Sequence, residues 1–312
     1  MITVLAGGAG AARFLRGLAR VVDEAAVTVV SNTGDDIHVY GAHVSPDLDI
    51  VTYTLAGIVD GERGWGIDGD TFRVLDGLRA LGVDTWFTLG DADFATCLAR
   101  AAHLREGGTA SAFAARLAGT RGVRARLLPM TDDPVATIVT AKSGEAMHFQ
   151  EYWVRRRAAD PVAAVALSGA ADARPAPGVL EAIEAADAVL IAPSNPIVSI
   201  GTILAVPGIR EALRSTTAPV VGVSPIVGGA VVRGMADKLM SGLGHEVSCT
   251  AVAALYEDLI DGFVIDLVDG AAAPRVAEAG GCVAEVAQTM MRTVEDAAAL
   301  AKTTLALAER IR

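Results

Sequence analysis

The chain is constrained most by a recurring pair: a short apolar run that ends in a loop of small or acidic residues, then a segment with helical spacing. The runs are Ile2–Ala6, Ala26–Ser31, Asp84–Leu89, Ala188–Ala192, Pro219–Val223 and Gly262–Leu267. Most are continuously apolar, the pattern of strands buried on both faces of a parallel sheet. Helical candidates between them are Ala11–Val21, Leu48–Gly57, Thr71–Leu81, Phe94–Leu104, Val179–Ala185 and Ile209–Arg214, with a last one at Thr293–Ile311. In the first of these, Phe14, Leu15, Leu18 and Val21 fall on one helical face. Strands alternating with helices imply an α/β fold: a Rossmann-like, doubly wound, mostly parallel sheet with helices on both sides. The middle breaks the alternation. Val123–Leu128, Val135–Ala141 and Ala146–Tyr152 are short strand-like runs separated by turns. They are expected to form a small β-rich insertion over 105–170, within a core built from 1–104 and 171–312.

Charge and hydropathy exclude other classes. Among 312 residues, 37 are acidic and 26 basic, a net charge of -11, and the only lysines are Lys142, Lys238 and Lys302. Without a clustered cationic surface, nucleic acid is not expected as a partner. The mean hydropathy of +0.43 raises the question of a membrane. Ala188–Ile209 and Ser215–Val232 lack charge, but prolines at 193, 196, 207, 219 and 225 interrupt them. They read as buried strands running into loops, so no membrane partner is expected. The N-terminus begins in a strand-like run without the basic region of a signal peptide. Cys97, Cys249 and Cys282 are far apart in sequence, as reduced thiols of a cytoplasmic protein would be.

Several loops after strands carry residues suited to chemistry. Gly7-Gly8-Ala9-Gly10 follows the first strand and opens a helix, which makes it a phosphate-binding candidate or a plain tight turn. Its spacing is neither the dinucleotide fingerprint nor a P-loop. Arg13, one turn on, reaches the same phosphate or is solvated. Ser31-Asn32-Thr33-Gly34-Asp35-Asp36 follows the second strand, and Ser45-Pro46-Asp47-Leu48-Asp49 starts a helix. Carboxylates so grouped repel one another unless a cation sits among them, and hard oxygen ligands favour magnesium. Helix capping explains any one aspartate; the set after successive strands favours a metal site. Gly90-Asp91-Ala92-Asp93 offers a further acidic turn, where Asp91 or Asp93 either joins the cleft or caps the next helix. Pro193-Ser194-Asn195-Pro196 offers polar groups for a base or ribose, or is only a turn. Arg155-Arg156-Arg157 is the one local cationic cluster, facing an anion or solvent, and Trp65 stacks on a planar ring or is a buried aromatic. No histidine pair or nucleophile elbow supports zinc hydrolysis or a serine triad.

Taken together, these motifs resemble the 2-phospho-L-lactate transferase family of deazaflavin coenzyme F-420 biosynthesis. The resemblance runs in order through Gly7–Gly10 with Arg13-Phe14-Leu15, Asn32–Asp36, Pro46–Asp49, Trp65-Gly66-Ile67, Asp70-Thr71-Phe72 and Leu89-Gly90-Asp91. It continues through Leu128–Pro134, His148–Glu151, Pro193–Pro196 with Ser199-Ile200, and Ser224-Pro225-Ile226. Arg13–Leu15 and Trp153-Val154-Arg155 are most similar to the actinobacterial branch, for which phosphoenolpyruvate is the implied three-carbon unit. The resemblance implies a donor of guanosine diphosphate type carrying lactate or enolpyruvate, and an acceptor hydroxyl on the ribityl chain of the deazaflavin Fo. It implies release of GMP, and a cytoplasmic homodimer. It implies that Gly7, Gly8 and Gly10 cradle the donor phosphates; Arg13, Asn32, Asp36, Asp47 and Asp91 are further substrate-binding candidates. Asp35 and Asp49 would hold Mg2+, with Asp49 also the general-base candidate; Thr88 would touch the deazaflavin, and Ser194 and Asn195 the guanine or ribose.

The chain departs from the family pattern in places. Ser45 stands where Cys is common, Ile50 where Thr is common, and Ala92 and Cys97 where Arg and His are usual. The last two remove polar groups beside the expected site, which keeps open a divergent, non-catalytic deazaflavin-binding paralogue. The related gluconeogenesis-factor group, read as nucleotide-sugar-binding regulators, is the other alternative. Asn32–Asp36 and Pro46–Asp49 favour the enzyme over that group.

Overall fold

A computed structural model describes residues 1–312. Seven strands make the main sheet: β1 (Ile2–Ala6), β2 (Val27–Ser31), β3 (Arg126–Pro129), β4 (Ala188–Ile191), β5 (Val220–Val223), β6 (Gly262–Asp266) and β7 (Val283–Ala287). Their order is β7-β6-β5-β4-β1-β2-β3. Every neighbouring pair is parallel. Ile2 sits opposite both Val27 and Ala188, so β1 is the centre from which the chain winds outward in two directions. The loops at the C-terminal ends of β1 and β4 therefore diverge and leave a crevice between them, where ligands bind in such sheets.

Side chains alternate across the sheet and feed two cores. Val4, Ala6, Leu190 and Val221 join Phe14, Leu15 and Leu18 of α1 (Gly8–Leu18) on one face. The C-terminal helix Val294–Ile311 covers the same face with Leu300, Ala301 and Leu307. Its start is fixed by a reciprocal cap: Asp296 N–H donates to the Thr293 hydroxyl, and Thr293 N–H donates to the Asp296 carboxylate. Leu5, Val189, Ile191 and Val220 face the other way, against Ile200, Ile203, Val206 and Ile209. No single helix is long and apolar enough to cross a membrane; the apolar pair Pro196–Leu204 and Ile209–Ser215 is bent by 81°. That pair contributes to the second core.

Three further helices position the site: α2 (Pro46–Leu55), α3 (Arg73–Ala80) and α4 (Asp91–Arg105). Asp84–Leu89 is not a strand, contrary to its expected place in the sheet. The position beside β2 is taken by β3, from the run expected at Val123–Leu128. Phe87 and Leu89 instead pack with Val39, Ala42 and Val44 of a short hairpin and with Phe94 of α4. The Phe87 N–H donates to the Tyr40 hydroxyl at 2.8 Å, so this stretch satisfies its backbone outside any ladder. Within 105–170, the separate sheet comprises Ala136–Ala141, Ala146–His148 and Val162–Ser168, all antiparallel. The run expected to stay extended to Tyr152 leaves the strand after His148 and winds through Phe149 and Gln150 into one π-helical turn, Glu151–Arg155.

Phe14 is fully buried between α1 and the sheet. Phe14→Ala is expected to lower the unfolding free energy by about 3–5 kcal/mol, read as a reduced urea midpoint with an unchanged slope.

Candidate active site

A cleft of about 760 Å³ opens at the crevice between the β1 and β4 loops. The glycine loop forms one wall. Gly8 has φ of +73°, and a Cβ on Gly10 would lie 2.3 Å from the Pro193 carbonyl oxygen, so only glycine lets the β1 and β4 loops meet. Gly7 N–H donates to Ser194 Oγ at 3.2 Å, a second tie between these loops. The first N–H groups of α1 lack intrahelical acceptors and carry partial positive charge, which suits a phosphate.

The opposite wall is acidic. Pro46 starts α2 with its fixed φ, and the first turn then presents Asp47 and Asp49 to the cleft. Asp47 packs against the glycine loop: a Cβ on Gly7 would lie 2.7 Å from its Oδ2. Asn32 Nδ2 donates to the same oxygen at 3.0 Å and to the Val198 carbonyl at 3.3 Å. Burial pushes the Asp47 carboxyl up to about 6. Asp35 lines the cleft from the loop after β2. Its Oδ1 is buried without a hydrogen-bond partner, as are Ser31 Oγ and Thr33 Oγ1 nearby in sequence. Burial, then the neighbouring charge of Asp47, hold Asp35 well above the usual carboxylate range. An unsatisfied buried carboxylate oxygen calls for a partner, and a hard cation supplies one.

Asp49 is engaged differently. Arg100 of α4 forks onto both its oxygens, with Nη1 3.0 Å from Oδ2 and Nη2 on Oδ1. Both side chains are buried, and Arg100 also donates to the His43 carbonyl and lies over Phe113. Burial raises the Asp49 carboxyl, and the guanidinium opposes that rise. Asp93 faces Asp49 from the same helix as Arg100 and accepts from the Tyr53 hydroxyl at 2.9 Å. Burial, with the Asp49 charge adding, raises Asp93 to about 7.

The structure thus brings Gly7, Gly8, Gly10, Arg13, Asp35, Asp47, Asp49, Thr88, Ser194 and Asn195 to one cleft. Asn32 stands behind it, positioning Asp47. Asp36 also stands behind, accepting from Ser45 Oγ at 2.7 Å and from His43 Nε2 at 3.0 Å. Asp91 lies outside: it accepts from the Val74 and Arg73 amides and the Thr71 hydroxyl, so it caps α3, while Asp70 caps α4 through the Ala92 and Asp93 amides. Asn195 lines the cleft, but its Oδ1 is spent on the Ile197 and Val198 amides. Ala92 is exposed, and Cys97 is buried with its thiol 3.9 Å from Asp93 Oδ1. Trp65 lies at the rim and is 37% exposed, not buried. Sequence reasoning missed Arg100 and Tyr53, and named Asp91 where Asp93 is the one that enters the cleft. The signal was present, because Asp93, Cys97 and Arg100 share the i, i+4, i+7 face of one helix.

Arg100→Met leaves Asp49 buried without its counter-charge and is expected to cost about 3–5 kcal/mol of stability by chemical denaturation. Asp47 at about 6 and Asp93 at about 7 hold protons more tightly folded than unfolded. Their contribution is full at acidic pH and lost as pH rises through these values. Thermal unfolding of the ligand-free protein is therefore expected at lower temperature at pH 8 than at pH 5.

The family model described as "2-phospho-L-lactate transferase CofD" matches residues 2–299. A protein of Streptomyces coelicolor named phosphoenolpyruvate transferase is 51% identical over 316 residues, covering 100% of this chain and 99% of that protein. A 2-phospho-L-lactate transferase of Methanosarcina mazei is 41% identical over 299 residues, covering 96% and 97%. Among solved structures, a Bacillus halodurans protein of the UPF0052 family superposes with a TM-score of 0.62 at 17% identity, over 97% of this chain and 98% of its own, which is a likeness of fold. The chain belongs to the 2-phospho-L-lactate transferase family and is a transferase of the coenzyme F-420 biosynthesis type.

Proposed function

We propose that the protein moves a phosphoenolpyruvyl or 2-phospho-L-lactyl group from a guanosine diphosphate-type donor to the ribityl hydroxyl of the deazaflavin Fo, with release of GMP. The observation that carries this reading is that the amides opening α1 and Asp35, whose Oδ1 is buried without a hydrogen-bond partner, line one cleft. A group transfer at phosphorus needs both a cradle for phosphate oxygens and a place for a counter-cation. The names of the relatives supply the two choices of three-carbon unit.

Asp35 fits Mg2+ through its free oxygen, with Asp47 and Asp49 completing an acidic wall. Bound there, the cation would neutralise charge on the transferred phosphate. The protein's own groups do the rest. The glycine-loop amides hold the diphosphate, and Thr88, Trp65 and Trp153 also line the cleft, where the two indole rings suit a planar acceptor. The acceptor hydroxyl attacks the distal phosphorus as its bond to the GMP oxygen breaks. We assign acceptance of the hydroxyl proton to Asp93 in place of Asp49, because Arg100 occupies both Asp49 oxygens and lowers their basicity. By the family resemblance we also infer a cytoplasmic homodimer.

With Mg2+, Fo and either donor, the purified protein is expected to release GMP, measured by chromatography; Fo binding without GMP from either donor would favour a non-catalytic paralogue. Asp35→Asn is expected to cut turnover by about 10²–10³-fold while the fold is kept. With Asp93 at about 7, the rate should rise with pH through neutrality. Asp93→Asn should remove that rise; a rise that persists would exclude Asp93 as the proton acceptor.

A further inference from the structure

Four arginines line the cleft, Arg13, Arg157, Arg233 and Arg292, and none forms an ion pair; Arg13 stands on the helix that the glycine loop opens, and its like charge is felt at Arg233. Arg13 lies one turn into α1, and helical side chains lean back toward the N-terminus, here toward the glycine loop. Arg233 comes from the segment after β5 and reaches across to the loop that carries Trp65. Its Nη2 donates to the Arg63 carbonyl at 2.6 Å, and its guanidinium lies against Gly64, where a Cβ would be 2.3 Å from Nη1. Arg63, Arg100, Arg155 and Arg156, which are not part of the cleft lining, each pair with a carboxylate instead. Burial, then the like charge of Arg13, lowers Arg233 below its usual range, so the two guanidinium groups repel in the ligand-free protein. An anion between them would relieve that repulsion.

We propose that Arg13 and Arg233 form a clamp for the carboxylate of the donor's three-carbon unit, and that Arg233 is the residue that selects a donor bearing it. This rests on the transferase reading. The phosphate oxygens already have the amides at the start of α1. A phosphorylated 2-hydroxy or enol acid carries one further anion, a carboxylate two bonds beyond the ester oxygen. A planar guanidinium fork matches a carboxylate through two parallel hydrogen bonds. The bond from Arg233 to the Arg63 carbonyl also links the clamp to the Trp65 loop, since Arg63 lies 5.3 Å over the Trp65 ring. Donor binding is thereby coupled to the rim of the cleft.

The test is calorimetry with three nucleotides: GDP, the lactyl ester of its terminal phosphate, and the ethyl ester, which differs from the lactyl ester only by lacking the carboxylate. Wild type is expected to bind the lactyl ester more tightly than the ethyl ester. Arg233→Gln should weaken the lactyl ester by about 10–100-fold while GDP and the ethyl ester change by less than about twofold. Arg233→Lys should recover part of the loss, as a point charge without the fork. An equal loss for all three nucleotides would place Arg233 on the diphosphate and overturn the carboxylate clamp, as would unchanged affinity for the lactyl ester. If wild type binds none of them, the transferase reading itself fails, and the clamp with it.

Discussion

Uncompensated negative charge at the floor of the cleft is the constraint on which the rest of the site depends. Asp35, Asp47, Asp49 and Asp93 are all buried. Among them the only cationic side chain bonded to a carboxylate is Arg100, on Asp49. Burial penalises a carboxylate that lacks a partner, and like charges nearby add to the cost. The protein answers by raising the proton affinity of Asp35, Asp47 and Asp93 and by leaving one oxygen of Asp35 without a bond. Such a wall is stable protonated or with a cation, and it opposes a glycine loop built to receive phosphate. Magnesium dependence, as proposed, is the way both demands are met together.

The fold places these groups by topology. Because β1 pairs with both β2 and β4, the chain leaves the sheet centre in opposite directions, and the β1 and β4 loops part above it. The contact of Gly10 with the Pro193 carbonyl then sets how near those loops come. The loop after β2 adds Asp35, and α2 and α4 bring the remaining carboxylates in from one side. Two π-helical turns, Glu151–Arg155 and Pro196–Ile200, supply Trp153, Val198 and Ser199 to the same cleft. Irregular helix of this kind is frequent where side chains must be aimed at a ligand.

Much of this was legible in the sequence. Continuous apolar runs such as Ala26–Ser31 and Ala188–Ala192 announced buried parallel strands, because nothing else buries both faces of so short a segment. The glycine loop and the two aspartate motifs were readable because backbone approach and hard-ligand chemistry leave few alternatives in residue type. Asp84–Leu89 misled because Trp86, Phe87 and Leu89 are apolar for a different reason, packing on a hairpin and α4 outside the sheet. The edge strand β7 was missed because it is only partly buried, so its apolar pattern is weak. Either Asp91 or Asp93 was open to the cleft or to capping, and Asp91 was the one named for the site; it instead caps the helix before its own, a tertiary contact with no local signal. The clustering of Arg100 with Asp49 required knowing that α4 lies beside α2, although the helical face shared by Asp93 and Arg100 pointed toward it.

The most direct measurement is anomalous diffraction from crystals grown with GDP and Mn2+, the latter as a heavy stand-in for Mg2+. A peak within coordination distance of Asp35 Oδ1, touching a diphosphate oxygen held by the glycine loop, is the expected result. Diphosphate bound in the cleft with no cation at Asp35 would contradict it.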